Sequence, residues 1–191
     1  MAEAMLRARL ADVDPSLEVG SAGLLFDGRP AERNAVKVMA QRGLDIRDHR
    51  SQIISVELLA PTSLILGMQR THVREVAALD PALFARSFTL PELVHAGRLV
   101  GPPVRGETLR GWAERIGSLR SRADYELPDP GAEIADPMGQ SVRGFRACAE
   151  RIDDRLAELV ELAWPAHDAT PGDDRVAPAT SGGPHADRDR R

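Results

Sequence analysis

Residues 63–68 read Ser63-Leu64-Ile65-Leu66-Gly67-Met68, an apolar run that begins just after Pro61 and ends at the polar stretch Gln69-Arg70-Thr71. So short a run does not make an ordinary helix. Because it does not alternate with polar residues, it fits a strand covered on both faces, as strands of parallel sheets are. Thr71 to Leu79 reads as a helix and Ser87-Phe88-Thr89-Leu90 as a second short strand. Strand, helix and strand in succession imply a crossover connection in a parallel sheet, so this stretch decides for an α/β fold.

Toward the N-terminus the same alternation continues. Ala31 to Arg42 carries Ala35, Val36, Val38 and Met39 at helical spacing and is stopped by Gly43, while Ser55 to Ala60 forms a helical turn closed by Pro61. Leu17-Glu18-Val19 is a strand candidate that runs into Gly20-Ser21-Ala22-Gly23. The first ten residues, Met1 to Leu10, are already helical: Ala2, Met5, Leu6 and Leu10 share one face, with Glu3, Arg7 and Arg9 opposite.

Toward the C-terminus, helices are expected around Pro91 to Leu99 and Glu107 to Arg122, followed by a loop from Leu127 to Gly139. The last helix, from about Ser141 to Trp164, shows an apolar stripe through Val142, Phe145, Cys148, Ala149, Ile152, Leu156, Leu159 and Val160. The elements together predict a doubly wound parallel sheet of about four strands flanked by helices. Since the chain opens on a helix, the strand that should feed it is expected to be missing. Residues 1–164 form one domain, and residues 165–191, rich in Pro, Gly, Asp, Ala, Thr and Arg, read as a disordered tail.

Charge and composition exclude several functions. The net charge of −4 gives no electrostatic case for nucleic acid or an anionic membrane. No apolar run reaches membrane-spanning length and the start is not that of a signal peptide, so a cytoplasmic location is expected. The single cysteine, Cys148, rules out an internal disulfide or a cysteine-rich zinc site, and the five histidines show no ligand spacing, so neither metal nor cofactor is expected. Cys148 lies within the last helix's apolar stripe, with no glycine-rich loop beside it, and reads as a core residue.

Several short stretches, in order, resemble the low-molecular-weight protein tyrosine phosphatase family, which also contains related arsenate reductases. They are Met1-Ala2-Glu3-Ala4; Ser21-Ala22-Gly23; Gly28-Arg29-Pro30 with Ala35-Val36; Gly43-Leu44-Asp45-Ile46 with His49-Arg50-Ser51; Leu64 to Met68 with Arg70-Thr71-His72; and Ile134-Ala135-Asp136-Pro137 with Phe145-Arg146 and Arg151-Ile152. The resemblance implies hydrolysis of a phosphate monoester, with a phosphotyrosine protein as the expected partner, through a cysteinyl-phosphate intermediate. In the family a strand and a Cys-x5-Arg loop precede the first helix; the thiolate attacks phosphorus, while the guanidinium and the loop's backbone N–H groups bind the phosphate and stabilise its transition-state charge. Neither of those residues is in this chain, so as it stands it is expected to be inactive.

By the same resemblance Asp136 is the general acid, preferred over Asp129 because its distance from Phe145 and the last helix fits the family. Ser21 and His49 match residues that hold the phosphate loop in shape. Leu25 or Phe26, together with Met138, match the walls that flank the substrate ring, although Met138 stands where the family carries an aromatic side chain. Gln69 replaces the usual acid after the strand's methionine, and residues 91–125 form a helical insertion longer than compact relatives carry. Trp112 and Trp164 are expected to serve packing. Two other functions remain in view: a non-catalytic truncated relative acting as a binding module, and arsenate reduction, which uses redox cysteines beyond the phosphate loop.

Overall fold

The computed structural model describes residues 1–126 and 129–165. Apart from Pro165, the expected disordered tail lies outside the described residues. The apolar run forms β1 (Ile65–Gly67), which pairs in parallel with β2 (Ser87–Thr89); Ile65 stands opposite Ser87, Leu66 opposite Phe88 and Gly67 opposite Thr89. The connection is α4 (Arg70–Leu79) followed by a 3-10 turn, Pro81–Arg86, which Asp80 caps by accepting from Ala82 N–H. Leu64 and Leu66 enter the main core, whereas Ile65 packs against a second cluster of Leu59, Val76 and Leu83. Both faces of β1 are therefore covered by apolar side chains, which is why its sequence does not alternate.

The main core is organised by α7 (Val142–Ala163), against which α1 (Ala2–Leu10), α2 (Arg33–Gln41) and α5 (Leu90–Val100) all pack. Phe145, Ala149, Ile152, Leu156 and Leu159 of the predicted stripe are buried. At the centre Phe88, Leu90, Leu93, Trp112 and Ile116 are wholly inaccessible. Both tryptophans serve packing as expected: Trp112 donates its indole N–H to Gly101 carbonyl at 2.9 Å, and Trp164 reaches Asp14 at 3.4 Å. Thr89 ends β2 and caps α5 in a reciprocal box with Glu92, so the chain turns from strand to helix with no connecting loop. Between α2 and β1 lies α3 (Val56–Leu59), a single turn capped by Ser55.

Two expectations about elements are corrected. The described residues contain a two-stranded sheet, not about four strands, and Leu17–Val19 is extended without a ladder. A strand exists only through its neighbours. Residues 17–22 face β1 across an open groove, and side chains rather than a neighbouring strand hold them: Arg7 donates to Val19 carbonyl at 2.6 Å, Gln52 to Ser21 carbonyl at 2.8 Å, and Ser21 hydroxyl to Glu3. Only Gly23 bridges in parallel, to Ile53. The second correction concerns α6 (Leu109–Gly117), which ends well before Arg122. Gly117 lies so close to the backbone of Ala85 that a Cβ would sit 1.8 Å from its carbonyl oxygen, and the chain departs there into a separate 3-10 turn, Arg122–Tyr125.

Candidate active site

The groove, about 970 Å³, runs between β1 on one side and residues 17–24 on the other, with α1, α7 and the 134–137 loop completing its walls. Leu6, Leu10, Val73, Ile152 and Leu156 make most of it apolar, and Glu3, Ser21, Gln69, His72 and Asp136 add polar groups. Met1 caps α1 without a side-chain bond, so its first-turn N–H groups, which have no partner within the helix, lie at the edge of the same groove.

Glu3, which the sequence reading used only as part of a motif, is the hub of the α1 end. One carboxylate oxygen accepts from Ser21 hydroxyl and lies 3.6 Å from His49 Nδ1, while the other pairs with Arg7. Burial alone would raise the Glu3 carboxyl's pKa, but the hydrogen bonds from Ser21 and Arg7 outweigh it and hold the group below its ordinary value. Ser21 and His49, far apart in sequence, thus meet on one carboxylate. Ser21 lines the groove; His49 stands behind Glu3.

Asp136 is exposed, and its Oδ1 accepts from Met138 N–H at 2.9 Å, a short turn that presents the carboxylate into the groove. Its loop is fastened to the end of β1: Ile134 N–H donates to Met68 carbonyl at 2.8 Å, and Glu133 accepts from Arg70 N–H at 2.9 Å. Asp129, the competing candidate, is committed to structure, capping its own 3-10 turn through Gly131 N–H and pairing with Arg70 at 3.2 Å. His72, in the first turn of α4, accepts from Met68 N–H through Nδ1 at 3.2 Å and shares the groove with Asp136.

Cys148 is 8% exposed, and its thiol lies 3.7 Å from Ala135 carbonyl. Burial, with Asp136 adding to it, pushes the thiol's pKa up, so it is a poor nucleophile, in line with its reading as a core residue. Leu25, Phe26 and Met138 are 75%, 45% and 61% exposed and are not among the groove's lining residues. Arg29 stacks its guanidinium on the Phe26 ring at 3.6 Å, and Asn34 donates to Gln140 carbonyl at 3.3 Å, linking the start of α2 to the loop that carries Met138. Among the described residues no group of three or more His, Cys, Asp and Glu side chains is placed to hold a metal.

Comparison with known proteins decides the family. Residues 1–98 match the low molecular weight phosphotyrosine protein phosphatase family. A probable low molecular weight protein-tyrosine-phosphatase, EpsP of Ralstonia nicotianae, is 38% identical over 129 residues, covering 67% of this chain and 84% of that relative. The chain belongs to the low-molecular-weight protein tyrosine phosphatase family. EpsP of Ralstonia solanacearum is 40% identical over 94 residues, 49% of this chain, and the match spans 62% of that relative's length. Among solved structures, the low molecular weight protein tyrosine phosphatase from T. tengcongensis superposes with a TM-score of 0.61 at 24% identity, over 84% of this chain and 87% of that one. The YwlE arginine phosphatase from Geobacillus stearothermophilus gives 0.60 at 22% identity, over 84% and 80%. At such identity these two speak for the α/β phosphatase fold. No helix among the described residues is long and apolar enough to cross a membrane.

Proposed function

We propose that the site hydrolyses phosphate monoesters, with phosphotyrosine in a protein as the leading substrate, through a cysteinyl-phosphate intermediate and without a cofactor. The supporting observation is Asp136: an exposed carboxylate lining the groove that also contains the first turn of α1, where backbone N–H groups and the helix dipole favour a bound oxyanion. In the first step a thiolate forms a bond to phosphorus, the P–O bond breaks, and Asp136 gives its proton to the departing oxygen. In the second, the Asp136 carboxylate takes a proton from the attacking water while the P–S bond breaks and the thiolate returns.

In this reading the thiolate and the phosphate-binding guanidinium belong to a strand and a Cys-x5-Arg loop seated in the groove beside β1. The buried, pKa-raised Cys148 cannot replace the thiolate, so the 191 residues by themselves do not turn over. Ser21 and His49 support the loop through Glu3, and Leu25, Phe26 and Met138 flank the substrate. A cytoplasmic location belongs to the same reading. Met138, a thioether where an aromatic wall is expected, favours a second reading, a non-catalytic binding module. Arsenate reduction ranks behind both, because Cys148 is the one cysteine in the sequence.

The test is to assay an aryl phosphate and a phosphotyrosine peptide with two proteins, this chain and the product of the reading frame extended upstream of Met1. Turnover is expected from the extended product alone. An upstream frame without Cys-x5-Arg, or an extended product that carries it and remains inactive, overturns the proposal.

A further inference from the structure

The groove contains a titratable side chain to which the chemistry above gives no part. His72 lies on the first turn of α4, its Cβ pressed against the end of β1 so closely that a Cβ on Gly67 would come within 3.0 Å of it. Its ring bonds to the backbone, not to another side chain: Nδ1 accepts from Met68 N–H at 3.2 Å. The carbonyl of the same Met68 accepts from Ile134 N–H at 2.8 Å, and Asp136 follows two residues later. Met68 is thus held through its N–H by His72 and through its C=O by the loop that carries the acid.

An imidazole nitrogen accepts a hydrogen bond only while it carries no proton, so this bond fixes the neutral ring with its hydrogen on Nε2. Protonation at Nδ1 would set one N–H against another and break the bond. We propose that His72 is a positioning residue for Asp136, whose unprotonated Nδ1 locks Met68 and, through Met68, the register of the acid loop, so that the loop is held at neutral pH and released on acidification. This rests on the reading of Asp136 as the acid.

The charged surroundings of His72 are defined. Asp136 and Glu133 from the loop act on its titration, Arg70 shares its helix and bonds Glu133 through its backbone, and Arg151 and the Cys148 thiol come from α7, Arg151 gripping Glu133 carbonyl at 3.3 Å. Burial lowers the His72 pKa, and the two carboxylates oppose that only in part. The neutral, accepting form therefore prevails at neutral pH.

The test is hydrogen exchange in the 191-residue chain, read on the peptides containing Met68 and Ile134 from about pH 5 to 8 and corrected for the intrinsic rate. His72→Asn keeps an acceptor that does not titrate, and His72→Phe removes it. Wild type is expected to lose about tenfold protection at both amides as the pH falls, a change of the size one hydrogen bond carries. The Asn variant is expected to keep protection across the range and the Phe variant to lack it throughout. Wild-type protection that does not change with pH, or a folded Phe variant protected like wild type, overturns the inference; should the Phe variant not fold, wild type against Asn decides. Since exchange is read without turnover, this outcome is independent of whether the extended protein proves to be a phosphatase.

Discussion

Glu3 and Ser21, eighteen positions apart, meet in a hydrogen bond from the hydroxyl to the carboxylate that ties the first turn of α1 to the Ser-Ala-Gly turn. The same carboxylate binds Arg7 and faces His49. Glu3→Ala leaves Ser21 and Arg7 without their charged partner and is expected to destabilise the fold by about 1–2 kcal/mol, read as a lower denaturant midpoint. The pH sign follows from the pKa direction. A carboxylate held below its ordinary value stabilises the protein above the unfolded pKa of 4.5 and loses that contribution as pH falls through the lower folded value. The wild-type midpoint should drop across that acid window, and a Glu3→Gln variant should show less of the drop.

Asp136 and Asp129 separate by experiment. If the upstream-extended product turns over as proposed, Asp136→Asn in it is expected to lower kcat by roughly 10²–10⁴-fold, with the loss smaller for substrates whose leaving group needs no proton. Asp129→Ala removes a turn cap and an Arg70 contact, and so should shift the melting temperature while leaving kcat near wild type. Equal loss of kcat in both variants would remove the distinction drawn between them.

Much of the fold was legible. The apolar run at 63–68 is short and does not alternate, as suits a covered strand, the stripe from Val142 to Val160 has the helical period of a core-facing helix, and both elements stand where they were read. Leu17–Val19 was misread because its β-like composition says nothing about whether a partner lies alongside, and pairing is what makes a strand. The site divides in the same way. Asp136 was singled out by the family resemblance alone, and the convergence of Ser21 and His49 on Glu3 joins segments that no local pattern connects. His72 was visible within a motif, yet its part depends on one ring nitrogen reaching a backbone amide.

Cys148 gives a simple check on the core. With its thiol raised in pKa by burial and 8% exposed, it should react with an alkylating reagent at about pH 8 far more slowly in the native protein than in urea. Rapid native labelling at the unfolded rate would mean that α7 is not seated against the 134–137 loop.

Arg120 poses the sharpest question about stability, because no sequence pattern marks it. Its side chain is 8% exposed, with the guanidinium stacked 3.6 Å above the Phe88 ring and 4.8 Å from that of Phe84. It donates to the carbonyls of Ser87 and Phe84 at 2.9 Å each and pairs with Glu92 at 3.2 Å, while Tyr125 hydroxyl bonds to the same Glu92 carboxylate. Burial and that carboxylate push the Tyr125 hydroxyl's pKa well above its ordinary value, so Tyr125 stays a neutral donor. Removing the cation leaves Glu92 partly buried without its charge partner and two carbonyls without donors. Arg120→Ala is therefore expected to lower stability by about 3–5 kcal/mol, the scale for breaking a buried ion pair from one side. The double variant Arg120→Met, Glu92→Gln removes both charges and refills the volume, and should recover a substantial part of the loss. A melting temperature equal to wild type in Arg120→Ala would show that the helices of residues 91–125 do not depend on this cation for their attachment to β2.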